Sequence, residues 1–107
     1  EALGSDPSRI RELYLRAVEL NPSVPEFRRA LGNLLAREGD TEALQHFAAA
    51  GRLNPRLRNL HRDFGLACLR LGKREEGLEH LRIALEQDPG DAATREMLSK
   101  GELETPA

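Results

Sequence analysis

Three proline-terminated endings recur along the chain at a nearly constant step. The segments "RAVELNP", "AAGRLNP" and "IALEQDP" end at Pro22, Pro55 and Pro89, spaced by 33 and 34 residues. Gly32 recurs as Gly65, Gly39 as Gly72 and Leu35 as Cys68, each 33 residues later. His46 and His80 are 34 apart, as are Ala50 and Ala84. A period of this length marks a repeat architecture, in which one unit cannot bury its apolar face alone and neighbours must stack.

The pattern inside the period is helical. In "PEFRRALGNLLARE", Phe27, Leu31, Leu34 and Leu35 form one stripe. Ser23 and Glu26 have the spacing of a capping box at its start, and Gly39 stops it. "TEALQHFAAAGRL" reads as a second helix, with Ala43, Leu44, Phe47 and Ala50 inward. Asn54-Pro55 ends it, because a residue before proline disfavours the helical region. The next unit repeats the plan. A helix over 57–71 carries Leu60, Phe64, Ala67, Cys68 and Leu71, and a helix over 75–87 carries Leu78, Leu81, Ala84 and Leu85. Asp91 is placed to cap a last helix, anchored by Leu98. Asp6-Pro7 caps a leading helix to Leu20, with Ile10, Leu13, Tyr14 and Ala17 inward. "EALG" at residues 1–4 matches "LRLG" at 69–72, as though the sequence began inside a repeat of a longer protein.

Gly32 lies inside the first of these helices, where glycine costs roughly 1 kcal/mol relative to alanine. Its recurrence as Gly65 points to a site where a side chain would hold two helices apart.

This pattern resembles the tetratricopeptide repeat. The resemblance rests on Leu31-Gly32, Leu35, Gly39, Ala43, Phe47, Ala50 and Pro55 in the first full unit, which is one residue short between its helices. In the second it rests on Phe64-Gly65, Cys68, Gly72, Leu81, Ala84 and Pro89. Tyr14, Ala17 and Pro22 contribute from the leading half unit. Arg28 and His61 stand where the family favours an aromatic, and Gly77 where it favours alanine, which weakens that helix. The resemblance implies an all-α fold, a right-handed α-solenoid of antiparallel helix pairs. It would comprise two full repeats (23–55 and 56–89), a leading second helix (5–22), a C-terminal capping helix (90–101) and a tail (102–107).

The resemblance also implies a concave surface lined by the first helix of each pair. The side chains it would present are Glu26, Arg29, Asn33 and Arg37, then Asn59, Arg62, Leu66, Leu69 and Arg70, then Glu96 and Lys100. Arginine offers a planar fork suited to carboxylates, and asparagine can hold a peptide backbone. The implied partner is another protein, a peptide or helix with some acidic character. A variant of the family clamps acidic chaperone tails. Arg29 and Asn33 fit that clamp, but Asp63, Ala93 and Met97 stand where it needs asparagine and basic residues.

Other functions have less in their favour. No nucleophile triad, HExxH or phosphate-binding glycine loop is present. His46 and His80 should lie one repeat apart, too far to share a metal, so neither catalysis nor a cofactor is expected. Cys68 stands alone among apolar residues and reads as a packed core thiol. The net charge is −2, yet residues 52–74 carry seven cations against Asp63 alone, and residues 75–107 carry nine acids against three cations. Fourteen arginines against two lysines hint at RNA, but the concave positions lack stacking aromatics. The apolar runs fall short of the ~20 residues of a membrane span. A spacer that self-associates through exposed end helices is the other reading, and the compartment favoured is the cytoplasm, with the periplasm as the alternative.

Overall fold

The computed structural model describes residues 6–103, which form six α-helices and no strand. They are α1 (Pro7–Leu20), α2 (Pro25–Arg37), α3 (Ala43–Leu53), α4 (Leu60–Arg70), α5 (Arg74–Gln87) and α6 (Ala92–Leu103). The segment "EALG" lies outside the described residues.

The repeated endings act alike. Asn21, Asn54 and Asp88 each terminate a helix, and their backbone N–H groups donate to Ala17, Ala50 and Ala84. The following proline prevents continuation. The turns inside each pair also match. Gly39 and Gly72 take φ of 77° and 82°, a left-handed conformation that suits glycine. Asp40 N–H then donates back to Leu35 (2.9 Å) and Lys73 N–H to Cys68 (2.8 Å), the Schellman arrangement that satisfies orphan carbonyls.

Three local expectations need correction. The capping box at Ser23 and Glu26 does not form: Val24 is the N-cap of α2 without a side-chain hydrogen bond, and Pro25 starts the helix with its fixed φ. The helix expected from residue 57 begins at Leu60, because Asn59 adopts a left-handed φ of 67°. Leu13, expected inward, is 59% exposed, and Leu20 at the end of the same helix is 73% exposed. α1 packs against α2 on one side, and among the described residues no other helix meets it.

α2 pairs with α3, and α4 with α5. The first helices lie side by side in the order α2, α4, α6, and α3 touches α4 across the unit boundary. The core runs through this boundary. Leu31, Ala43, Phe47, Ala50 and Leu60 are almost completely buried. The Phe47 ring stacks on Phe64 at 5.3 Å between centroids, and Phe64 stacks on His80 at 3.9 Å. The last helix is seated by the fully buried Thr94 and by Gly101 against Leu78. Leu98, expected as its anchor, is only half-buried.

The interior glycines are seats for neighbouring helices. A Cβ on Gly32 would stand 2.8 Å from Cε2 of Phe47. On Gly65 it would stand 2.8 Å from the Gly77 carbonyl oxygen, and on Gly77 it would stand 2.9 Å from the Gly65 carbonyl oxygen. Gly77 is therefore no defect of α5. It is half of a glycine pair that brings two backbones together, and the other half is the repeat's own glycine.

Gly65→Ala tests this packing. Helix propensity alone would stabilise the variant by roughly 1 kcal/mol. The clash with a backbone oxygen should instead give a net loss of about 1–3 kcal/mol in urea denaturation. A stabilised variant would contradict the close approach.

Candidate functional site

A polar ladder crosses the row of first helices. Arg29 and Asn33, one helical turn apart on α2, both donate to Asp63 Oδ2 on α4, at 2.7 and 3.0 Å. Arg62 Nε lies 3.6 Å from Asp63 Oδ1, and Arg62 also reaches Asp91 Oδ2 at 3.6 Å. Asp91 precedes α6 and accepts from the Thr94 hydroxyl (2.7 Å) and the Thr94 backbone N–H (3.2 Å). These hydrogen bonds from Thr94 hold the Asp91 carboxyl below its ordinary range. The carboxylates of Asp63 and Asp91 thus tie α2 to α4 and α4 to α6.

The residues expected on the concave face fall into four groups. Arg29, Asn33 and Arg62 belong to the ladder: Arg29 Nη1, the Asn33 amide and the Arg62 guanidinium face this chain's own acids, while Arg29 Nε is buried without a hydrogen-bond partner among the described residues. Glu26, Arg37, Arg70, Glu96 and Lys100 are exposed, the last two within 3.5 Å of each other. Asn59 and Leu66 are half-buried. Leu69 is taken up by packing: its tip covers Gly77 of α5 and approaches Gly101 of α6. In the clamp reading Asp63 stands where an asparagine is needed. Its part is structural, since it accepts from the very Arg29 and Asn33 that would have bound a ligand.

A cleft of about 500 Å³ opens beside Asn59 and Arg62, between the α3–α4 connection and the C-terminal end of α5. Arg56 and Arg58 line one wall, and Asp88 and Asp91 lie on the other side. No sequence signal marked it, because its walls come from segments about 30 residues apart.

The histidines form a second feature. Arg28 on α2 lies 3.4 Å from His46 Nδ1 on α3, and at the equivalent places of the next unit His61 Nδ1 on α4 lies 3.0 Å from His80 Nδ1 on α5. These two contacts recur with the period. Sequence reasoning compared His46 with His80 and missed the partner each takes inside its own hairpin. Burial lowers the pKa of all three histidines below the ordinary 6.5, and Arg28 adds to this for His46 and His61 for His80. At 3.0 Å one imidazole of the pair donates and the other accepts, so protonating both would set two N–H groups face to face. Cys68 is buried, and its thiol is pushed up to about 11 chiefly by burial, which makes it a poor nucleophile. No helix among the described residues is long and apolar enough to cross a membrane.

Two predictions follow the geometry. Asp63→Ala should destabilise the fold by about 1–3 kcal/mol, because it strands the partly buried donors of Arg29 and Asn33 on α2. A double-mutant cycle with Arg29→Ala should be clearly non-additive; additive losses would mean that the pair is not coupled. The histidine shifts set a pH dependence. Folded pKa values below the unfolded value mean that stability is complete above about pH 6.5 and falls as the pH drops below it, levelling beneath the folded values. Urea midpoints at pH 7.5 and 5.0 should differ in that direction, and His80→Gln should shrink the difference.

Comparison with known proteins agrees with this architecture. No protein-family model and no curated protein matches the sequence. Among solved structures, the crystal structure of YrrB, described as a TPR protein with an unusual peptide-binding site, superposes with a TM-score of 0.79 at 32% sequence identity. The match covers 85% of this chain and 47% of YrrB, so the chain spans about half the length of that relative. With its paired helices, its period and its glycine seats, the chain is a tetratricopeptide-repeat-like helical-repeat protein.

Proposed function

We propose that the chain is a non-catalytic scaffold or adaptor that holds a peptide segment or helix of another protein along its row of first helices. The observation that carries this reading is the division of labour on that row. Arg29, Asn33 and Arg62 are engaged by Asp63 and Asp91, which holds α2, α4 and α6 in a fixed relation. Glu26, Arg37 and Arg70 stay exposed beside them. A surface held in place before binding loses less entropy when a partner arrives. The peptide-binding site of YrrB, a relative in fold, supports the same reading.

The engaged ladder changes which residues test the proposal. Charge reversal at Arg29 or Arg62 would set a carboxylate beside Asp63 and perturb the fold. Arg37→Glu with Arg70→Glu is the cleaner variant, since both side chains are exposed and neither makes an ion pair among the described residues. A pulldown from source cells should lose its specific partner with this variant while the circular dichroism is unchanged. Retention of the partner would remove the groove assignment.

A second reading, self-association, draws on Leu13 and Leu20, which leave apolar surface on the outer side of α1. It expects sedimentation mass to rise with concentration and Leu13→Glu to abolish the rise.

A further inference from the structure

We infer that the cleft between the α3–α4 connection and the end of α5 seats a carboxylate of an acidic peptide against Arg56 and Arg58. The inference rests on the reading of the chain as a peptide-binding module, and it assigns that module a second contact beside the row of first helices.

The first argument is a departure from the repeat. One period before Arg56 and Arg58 stand Ser23 and Pro25, and one period after stand Gly90 and Ala92. Stacking of the units therefore does not call for a cation at either place. The backbone departs at the same spot. α2 begins at Pro25 and α6 at Ala92, whereas the equivalent Arg58 lies outside α4, which starts only at Leu60. Asn59 turns the chain with its left-handed φ of 67°, and Asn54 Oδ1 accepts from the Arg56 backbone N–H at 3.0 Å. The unwound turn becomes one wall of the cleft, whose volume of about 500 Å³ falls in the range of ligand pockets.

Charge then selects the occupant. Arg56 and Arg58 are exposed and make no ion pair among the described residues. The third arginine of the cleft, Arg62, is shared between Asp63 and Asp91. A planar guanidinium matches a carboxylate with two parallel hydrogen bonds. The opposite wall carries Asp88 and Asp91. That wall disfavours a continuous polyanion such as RNA, and the one aromatic ring along the cleft among the described residues, His61, is already stacked on His80. A peptide suits both walls, with its carboxylate on the arginines and a backbone N–H towards Asp88.

The test uses the intact chain and a fluorescein-labelled hexaglutamate peptide, read by fluorescence polarisation at near-physiological salt. Arg56→Gln with Arg58→Gln should weaken binding about tenfold or more, the loss expected for a charge-assisted pair. Asp88→Asn should tighten it. Arg9→Gln with Arg16→Gln, exposed on α1 and outside the cleft, should leave it nearly unchanged. A C-terminally amidated peptide separates the two sources of the carboxylate: loss of binding identifies the terminal group, and retained binding identifies a glutamate side chain. Equal affinity of wild type and the Arg56/Arg58 variant overturns the inference, as does no binding by wild type. Tighter binding of an oligouridylate that needs the same arginines overturns it too. If the cleft fails while the Arg37/Arg70 variant still loses its cellular partner, the adaptor reading survives alone. If both variants retain that partner, it is the adaptor reading that falls.

Discussion

The Phe47 ring joins three helices, and the stacking of the two units depends on it. It belongs to α3, rests on the bare backbone of Gly32 in α2 and stacks on Phe64 of α4. One contact thus closes the first hairpin and attaches it to the second. Phe64 passes the same arrangement on to His80 and His61, so a single column of rings runs from α3 into the α4–α5 pair. A helical hairpin of this size leaves apolar surface that only its neighbour can cover. With few aromatics in the chain, the placement of these rings decides where that cover occurs.

The polar ladder completes on the open side what the rings do inside. Its carboxylates, Asp63 on α4 and Asp91 just before α6, take donors from the preceding first helix. Partly buried charged groups are costly unless satisfied, so Asp63 with Arg29 and Asn33 specifies a spacing between helices as well as adding stability. Beside that ladder, Arg37 and Arg70 on the first helices and Arg56 and Arg58 in the loop make no ion pair among the described residues. In the proposed reading, recognition moves towards the periphery of the row.

Much of the fold could be read from residue order. Asn54-Pro55 and Asp88-Pro89 announce helix ends because the clash at proline is local. Gly39 and Gly72 announce turns because glycine, without a Cβ, takes a left-handed φ at no steric cost. Misreadings arose where a local signal met a competing one. Ser23 and Glu26 have capping-box spacing, but Pro25 begins the helix by itself. Gly77 looks like a weakness in propensity until Gly65 is seen across from it. Leu13 follows the apolar stripe of α1, but no described helix lies on that side.

The candidate site was less legible. Arg29, Asn33 and Arg62 were found by repeat register, yet register says which way a side chain points and not what meets it. That Asp63 receives two donors from α2, that His61 faces His80 and that Arg56 and Arg58 wall a cleft all depend on segments about 20 to 35 residues apart. By itself the sequence determined the period, the helix ends, the turns and the stacked architecture, because each follows from backbone chemistry within a few residues. The tertiary structure alone decided which cations stay free, because pairing between charges depends on distances that only the packed helices set.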